Sequence, residues 1–594
     1  MLIRKVFRVF VSSTFLDMKR ERNPLQKKVF PRLREYCERQ GASFQDIDLR
    51  WGVSDEVQKD QRTLQMCLSE IERCQNLSPK PNFIILLGDR YGWEPLPYSI
   101  PSTEFDSLLP LMDDSERSKI SEWYRKDENA IPSEYILQPR KDEYESYALW
   151  EEKERELREI LRKAVDRSTL DEKEREKYFL SATHREIIHG ALGIPEGKIA
   201  PQEHVVACFR KGEKDERLQR LEEELKDRLS KERTREYESL DNEKDEDEFS
   251  QFIYERLEET ISLQLKDVQE IDELEEERNR HKEYREELLE DFCGREKILE
   301  EISEYIEGED NRIFALTGES GSGKSSVMAK AIEQAEREKN VVIYRFSGFT
   351  ANFGNEYTLL KQLFEEITGK YNTTVNKVAG IEEGERSPVM EGSEERTSLD
   401  PNKLDDLIEV FRRCLVLSTE DKRLVLFIDA LDQIDGDLTW LPSLLPRYTK
   451  LVVSTTLDKE IELPHRLERL KEGEEILDRW LARAKRRLQR EQREAIMNGL
   501  KRNGTPIYLR LLFDMAKNWH SYTGIPRLGE KTEEILKEFC DRLEREHTPE
   551  RVKTIIGYMV CGRYSGLKEE ELIDLLSFDE EYYESFLKGS QHTD

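Results

Sequence analysis

At 594 residues the chain is too long for one hydrophobic core, and at roughly 150 residues per domain it predicts about three to five domains. Apolar residues make up 37% and charged residues 38%, enough Leu, Ile, Val and Phe for real cores set among long, charged helices; fibrous and collagen-like classes are excluded. The 96 basic residues minus the 127 acidic ones leave a net charge of −31, which disfavours nucleic acid and anionic membranes as partners without forbidding a local basic patch.

In chain order, Val6 to Val11 (VFRVFV) reads as a buried strand running into the polar Ser12-Ser13-Thr14. A helix over Met18 to Arg39, a strand over Phe44 to Trp51, a helix over Thr63 to Cys74 and an apolar strand over Phe83 to Leu87 follow. Strand alternating with helix predicts a parallel sheet covered on both faces. The stretch from about 95 to 180 is charged and helical, with poor strand character, and reads as an insertion. The pattern resumes with a helix over Thr183 to Leu192 and a strand over His204 to Phe209, so a five-stranded first domain of residues 1–210 is expected. Residues 211–290, nearly all Glu, Lys, Arg and Leu, predict a charged helical arm.

A second α/β pattern starts near 291 and runs to about 460, with strands at Arg312–Leu316, Val341–Phe346, Leu424–Ile428 and Leu451–Ser454 and a helix at Ser325–Lys339. The Gly-, Ser-, Glu- and Asn-rich stretch from Asn372 to Lys403 reads as a mobile surface insert. Residues 461–547 are expected to be helical throughout, and 548–594 carry the helix–turn–helix spacing of a winged-helix unit.

The eight cysteines (Cys37, Cys67, Cys74, Cys208, Cys293, Cys414, Cys540 and Cys561) form no CxxC pair and sit mostly in apolar runs. Buried free thiols in a reducing cytosol are predicted rather than disulfides or zinc. No apolar stretch of 18 residues occurs and the N-terminus turns polar too soon for a signal peptide, so a soluble, cytoplasmic protein is expected. His184 and His189, five apart, would face different sides of a helix, which argues against a metal site there.

Gly318-Glu319-Ser320-Gly321-Ser322-Gly323-Lys324-Ser325, followed by Ser326, is a G-x-x-x-x-G-K-S phosphate-binding loop between an apolar strand and a helix. Glycines let successive N–H groups turn inward, the helix adds its positive end, Lys324 reaches the β- and γ-phosphates, and Ser325 would hold Mg²⁺. The later run LVLFI ends in Asp429, a carboxylate placed to orient the waters of the magnesium. Asp432 would polarise an attacking water or cap the next turn. Thr455 and Thr456 stand where a γ-phosphate sensor would lie, or cap a loop.

With Gly504-x-Pro506 and the winged-helix spacing, these residues resemble the STAND class of NTPases, in particular its NACHT-type branch, from about Gly294 onward. The resemblance implies ATP and ADP as alternating ligands, a closed monomer and an open homo-oligomer. It also implies that Cys293-Gly294-Arg295-Glu296 packs near the adenine, with Arg295 and Pro506 contributing to the nucleotide site. Ser454-Thr455-Thr456-Leu457 stands where this class often has Arg, and Gln433 where NACHT members often carry an acid, so slow ATPase turnover is implied. Such chains usually continue past the winged helix into a sensor array; either this sequence is a trimmed one or its trigger comes from a separate partner.

The first domain resembles the TIR-like (DUF4062-type) module found ahead of such NTPases in nephrocystin-like and telomerase-associated-protein-like chains and in prokaryotic antiviral defence proteins. Val9–Phe15, Asp48–Val53, Leu87–Trp93 and Glu186–Gly190 carry the likeness. In TIR enzymes a glutamate on the helix after the third strand supports NAD⁺ cleavage, which by order of elements points to Glu186; Thr183-x-x-Glu186 is equally a capping box. Ser12, Ser13 and Asp48 would line the same carboxyl-end crevice, and Trp51, Tyr91 and Trp93 would stack on a base there or pack as core. The resemblance thus implies a signalling or defence switch that clusters its N-terminal domains under ATP control, with NAD⁺ hydrolysis or, alternatively, a non-catalytic scaffold as output. DNA binding by the winged helix is opposed by Glu569, Glu570, Glu571 and Asp574.

Overall fold

A computed structural model describes residues 5–582 except 15–16, 50–58, 79, 195–199, 267–272, 339, 348, 350–354, 380–398, 401–402, 437, 457–463, 563–566, 568 and 580–581. The chain divides into two units, one within residues 1–271 together with 520–522, the other from residue 272 onward. Trp51 and most of the expected mobile insert lie outside the described residues.

The first unit is built on strands β1 (Val6–Ser12), β2 (Ser43–Ile47) and β3 (Phe83–Leu87); β1 from Phe7 onward and all of β3 are buried on both faces, while β2 buries Phe44. The stretch expected to be helical does carry helices Ser102–Leu108, Asp114–Trp123, Tyr147–Asp166 and Glu172–Phe179, but it also holds a small antiparallel sheet, with β4 (Ser99–Pro101), β5 (Tyr124–Asp127) and β6 (Glu134–Leu137) in the order β4-β6-β5. These strands of three or four residues are too short for alternation to announce them. Helices pack around them on a separate core that includes Phe105, Trp123, Trp150 and Leu161.

Strands β7 (Val205–Arg210) and β8 (Thr234–Tyr237) complete the main sheet in the all-parallel order β2-β1-β3-β7-β8, the doubly wound flavodoxin-like order. The fifth strand therefore comes from the segment expected as an arm. Helix Glu243–Lys266 from the same segment covers one sheet face through Phe249, Ile253, Leu257 and Ile261, and helix Glu216–Arg228 covers the other through Leu218, Leu221 and Leu225. A domain edge at 210 would cut this core in two, and helix Glu273–Glu290, the rest of the expected arm, belongs to the second unit.

The second unit has strands β9 (Phe314–Thr317), β10 (Val341–Phe346), β11 (Leu424–Asp429), β12 (Thr449–Thr455) and β13 (Pro464–Arg466), all parallel in the order β10-β11-β12-β9-β13. Because β13 pairs with β9, the sheet extends past the expected edge at 460. One face is covered by helices Glu356–Lys370 and Leu404–Leu415, the other by Glu296–Glu307 and Lys324–Glu336. Helices Gly473–Arg483, Arg490–Asn503 and Pro506–Ala516 share a further core that includes Trp480, Ile496, Tyr508 and Leu512. The winged-helix expectation falls on helices Pro549–Cys561 and Glu569–Phe578, and the residues of any wing lie outside those described. Five of the eight cysteines are buried, while Cys561 is exposed. Among the described residues no helix is long and apolar enough to cross a membrane.

Candidate functional site

The glycine-rich turn joins the end of β9 to helix Lys324–Glu336. Gly321 (φ +75°) and Gly323 (φ +93°) take the left-handed conformation that points successive N–H groups to the inside of the turn. Glu319 and Ser320 lie on its exposed outer side, and Ser325 and Ser326 occupy the half-buried first helical turn. The ammonium of Lys324 donates to the carbonyls of Gly318 at 2.9 Å and Glu319 at 3.0 Å. Burial lowers its pKa, and the negative charges of Asp432 and Asp429 pull the other way.

Asp429 closes β11 and is buried; it accepts a hydrogen bond from the hydroxyl of Ser454, and the Ser325 hydroxyl lies beside it. Burial raises its pKa, opposed by these two hydroxyls and by the Lys324 charge. Ser454 also accepts the Ala430 N–H at 2.9 Å, so it sets both the carboxylate and the chain that follows it. Asp432 accepts the Thr456 N–H at 3.1 Å and the Gln433 side-chain N–H at 2.9 Å, which is turn-bonding geometry. The hydroxyls of Thr317, Ser322 and Thr455 are buried and have no hydrogen-bond partner among the described residues. Leaving such groups unpaired costs about 1–3 kcal/mol each, and a bound phosphate with its magnesium would offer partners to those it reaches. Lys324, Ser325, Asp429 and the inward N–H groups therefore fit a magnesium nucleotide.

Two further elements meet the loop. Arg295 (φ +69°) precedes helix Glu296–Glu307, and its guanidinium donates to the carbonyl of Glu468 at 2.6 Å and of Ser322 at 3.2 Å. Pro506 opens helix Pro506–Ala516; a Cβ on Gly323 would lie 3.4 Å from Pro506 Cγ, and one on Gly321 would collide with Ile507. The Ile507 N–H donates to the Gly321 carbonyl at 3.3 Å. The sequence singles out Arg295, Pro506, Asp429 and Thr455 but not Ser454 or Ile507, whose contacts depend on chain segments far from the loop.

In the first unit Ser12, Ser13 and Asp48, at the carboxyl ends of strands, and Glu186 fall into two hydrogen-bonded groups, Ser12 with Glu186 and Ser13 with Asp48 through Arg22. Ser12 donates to Glu186 at 2.6 Å, and the Cys67 thiol lies beside this carboxylate. Arg22, a residue the sequence does not single out, donates to Ser13 Oγ at 2.7 Å and forms an ion pair with Asp48 in which both side chains are 1% exposed. The capping-box reading of Glu186 does not hold: helix Ala182–Ile187 is capped by Ser181, whose Oγ accepts the His184 N–H at 3.2 Å. Tyr91 is core, bonded to His184 Nδ1 at 2.8 Å, while the exposed Trp93 donates to Glu154.

Glu186 is 6% exposed, and burial raises its pKa against the lowering pull of Ser12, Cys67 and Arg22. A carboxyl raised in the folded state binds its proton more tightly there, so its contribution to stability is full below the unfolded value of 4.5 and is lost as pH rises through the folded value. Glu186→Gln is expected to melt above the parent at about pH 8 and to lose that advantage at about pH 4. Paired melting curves check this, and a gap unchanged by pH would contradict it.

The sequence is similar to two family profiles: residues 8–177 match the Domain of unknown function (DUF4062) and residues 291–454 match the AAA ATPase domain. It is 27% identical to NACHT domain- and WD repeat-containing protein 1 of Mus musculus, over 95% of this chain and 39% of the relative. It is 25% identical to NACHT and WD repeat domain-containing protein 2 of Homo sapiens, over 96% of this chain and 37% of the relative. The chain thus spans about two fifths of the length of these curated relatives. Among solved structures, "Structure of Drosophila ORC bound to DNA" aligns with 52% of this chain and 70% of that one at 13% identity and TM-score 0.20, a likeness too loose to bear on the fold.

Proposed function

We propose, from the premise that this chain is a NACHT-like STAND NTPase with an N-terminal DUF4062 domain, that it is an ATP-controlled signalling or defence switch. Magnesium-ATP held at Lys324, Ser325 and Asp429 favours an assembled state in which several copies bring their TIR-like N-terminal domains together. The observation that carries this reading is the seating of Pro506 and Ile507 on Gly323 and Gly321. A nucleotide contacting this loop acts on a packed element from another part of the chain, so its binding energy differs between two arrangements and shifts their populations. Asp432 is proposed to orient water for slow hydrolysis once freed from Thr456 and Gln433, with Thr455 as γ-phosphate sensor.

For the output, the burial of Glu186 supports the scaffold reading over NAD⁺ cleavage: its carboxyl is enclosed by Ser12 and Cys67, and its raised pKa disfavours the charge that would stabilise an oxocarbenium-like sugar. One experiment tests both levels. Oligomer size is measured with and without a nonhydrolysable ATP analogue, and free nicotinamide is followed after adding NAD⁺ to each sample. The expected result is assembly with the analogue and no nicotinamide from either form. Indifference of size to nucleotide overturns the switch, and nicotinamide release abolished by Glu186→Gln overturns the scaffold.

A further inference from the structure

Helix Glu273–Glu290 lies outside both matched domains, yet it is built into the second unit against β10, the neighbour of the strand that carries Asp429, and against the phosphate-loop helix. Along β11, Val425 and Phe427 face the core shared with the phosphate-loop helix, and strand alternation puts Asp429 on that same face. Tyr284, Leu288 and Leu289 of helix Glu273–Glu290 pack against this core as well.

The contacts converge on the end of β10. Phe346 is the register partner of Asp429, and its N–H donates to His281 Nδ1 at 3.3 Å. The next residue, Ser347, donates its N–H to the Asp429 carbonyl at 3.1 Å. Tyr284 meets Phe346 edge-on at 5.2 Å between ring centroids and stacks on Phe349 at 4.1 Å. Arg285 pairs with Glu336 at 2.7 Å, which ties the same helix to the end of the phosphate-loop helix. Burial pushes the Tyr284 phenol up to about 12, and the negative charge of Asp429 adds to that rise.

We infer that Tyr284 is a positioning residue of the nucleotide site: its ring, packed on Phe346 and Phe349, holds the end of β10 against the backbone of Asp429 and so aims the carboxylate that would serve the magnesium. The phosphates would be held by the loop itself and would not depend on this strand end. The metal-dependent part of the affinity does, and by reciprocity a bound magnesium nucleotide holds the helix down. This rests on nucleotide binding at Lys324, but not on assembly or on any activity of the first unit.

The test is calorimetric binding of ATP to the full chain with magnesium and with a chelator in its place. Tyr284→Ala is expected to weaken binding about tenfold with magnesium and to change it less than twofold without. Tyr284→Phe keeps the ring on Phe349 and is expected to restore the parent value. In the parent, magnesium-ATP is expected to slow amide exchange across residues 281–289. Equal losses with and without magnesium, no rescue by Phe, or exchange indifferent to magnesium-ATP each overturn the inference, whereas absence of ATP binding to the parent would instead overturn the underlying nucleotide assignment. If Tyr284→Ala fails to fold, Phe349→Ala removes the stacked partner at a site 38% exposed and is read in the same way.

Discussion

Replacing Lys324 by Ala is expected to weaken magnesium-ATP binding about a hundredfold, equivalent to about 2.8 kcal/mol, while the melting temperature moves by no more than a few degrees. The asymmetry follows from the local geometry. Among the described residues the ammonium bonds the Gly318 and Glu319 carbonyls of its own turn and no other group, and burial already disfavours its charge. Removing it loses two modest hydrogen bonds but also a desolvated cation, so folding is nearly indifferent. A nucleotide loses more, because the positive charge nearest its terminal phosphates disappears from a site that also contains Asp429 and Asp432. Titration calorimetry gives the affinity and differential scanning fluorimetry the stability; full affinity in Lys324→Ala would refute the assignment of the site.

Asp48→Ala is expected to destabilise the first unit by about 3 kcal/mol, toward the lower end of the range for breaking a buried ion pair. The Arg22 guanidinium would keep its bonds to Ser13 and to the Val11 and Ser13 carbonyls, but its charge would stay buried without Asp48. Replacing both partners, Arg22→Met with Asp48→Leu, removes both charges together and is expected to recover most of the loss. Amide exchange of β1 in the full chain reads this stability directly. If Asp48 served a ligand rather than the fold, Asp48→Ala would leave that exchange unchanged.

The nucleotide loop was legible in the sequence because its chemistry is local: the spacing from Gly318 to Ser325 and the apolar run ending in Asp429 require no knowledge of distant residues. The strand β8 was not, since Thr234–Tyr237 lies in a charged stretch and becomes a strand by pairing with the edge of β7. Helix Glu243–Lys266 did leave a signal, an apolar stripe at Phe249, Ile253, Leu257 and Ile261 that a freely solvated helix would not carry. Glu186 shows the opposite failure. Its local spacing matches a cap, but Ser181 fills that role, and the partner that fixes the carboxylate, Ser12, is 174 residues away in the chain. Ile507 was likewise invisible, because a contact with Gly321 is made only after the helical segment folds back onto the loop.

The position of β8 has a practical consequence. A fragment ending at residue 210 would leave one side of β7 with unpaired N–H and C=O groups beside stripped apolar surface, the arrangement that recruits other chains into insoluble aggregates. Ending instead at residue 266 retains that missing edge and the amphipathic helix over it, and a monodisperse N-terminal preparation is to be expected from that cut.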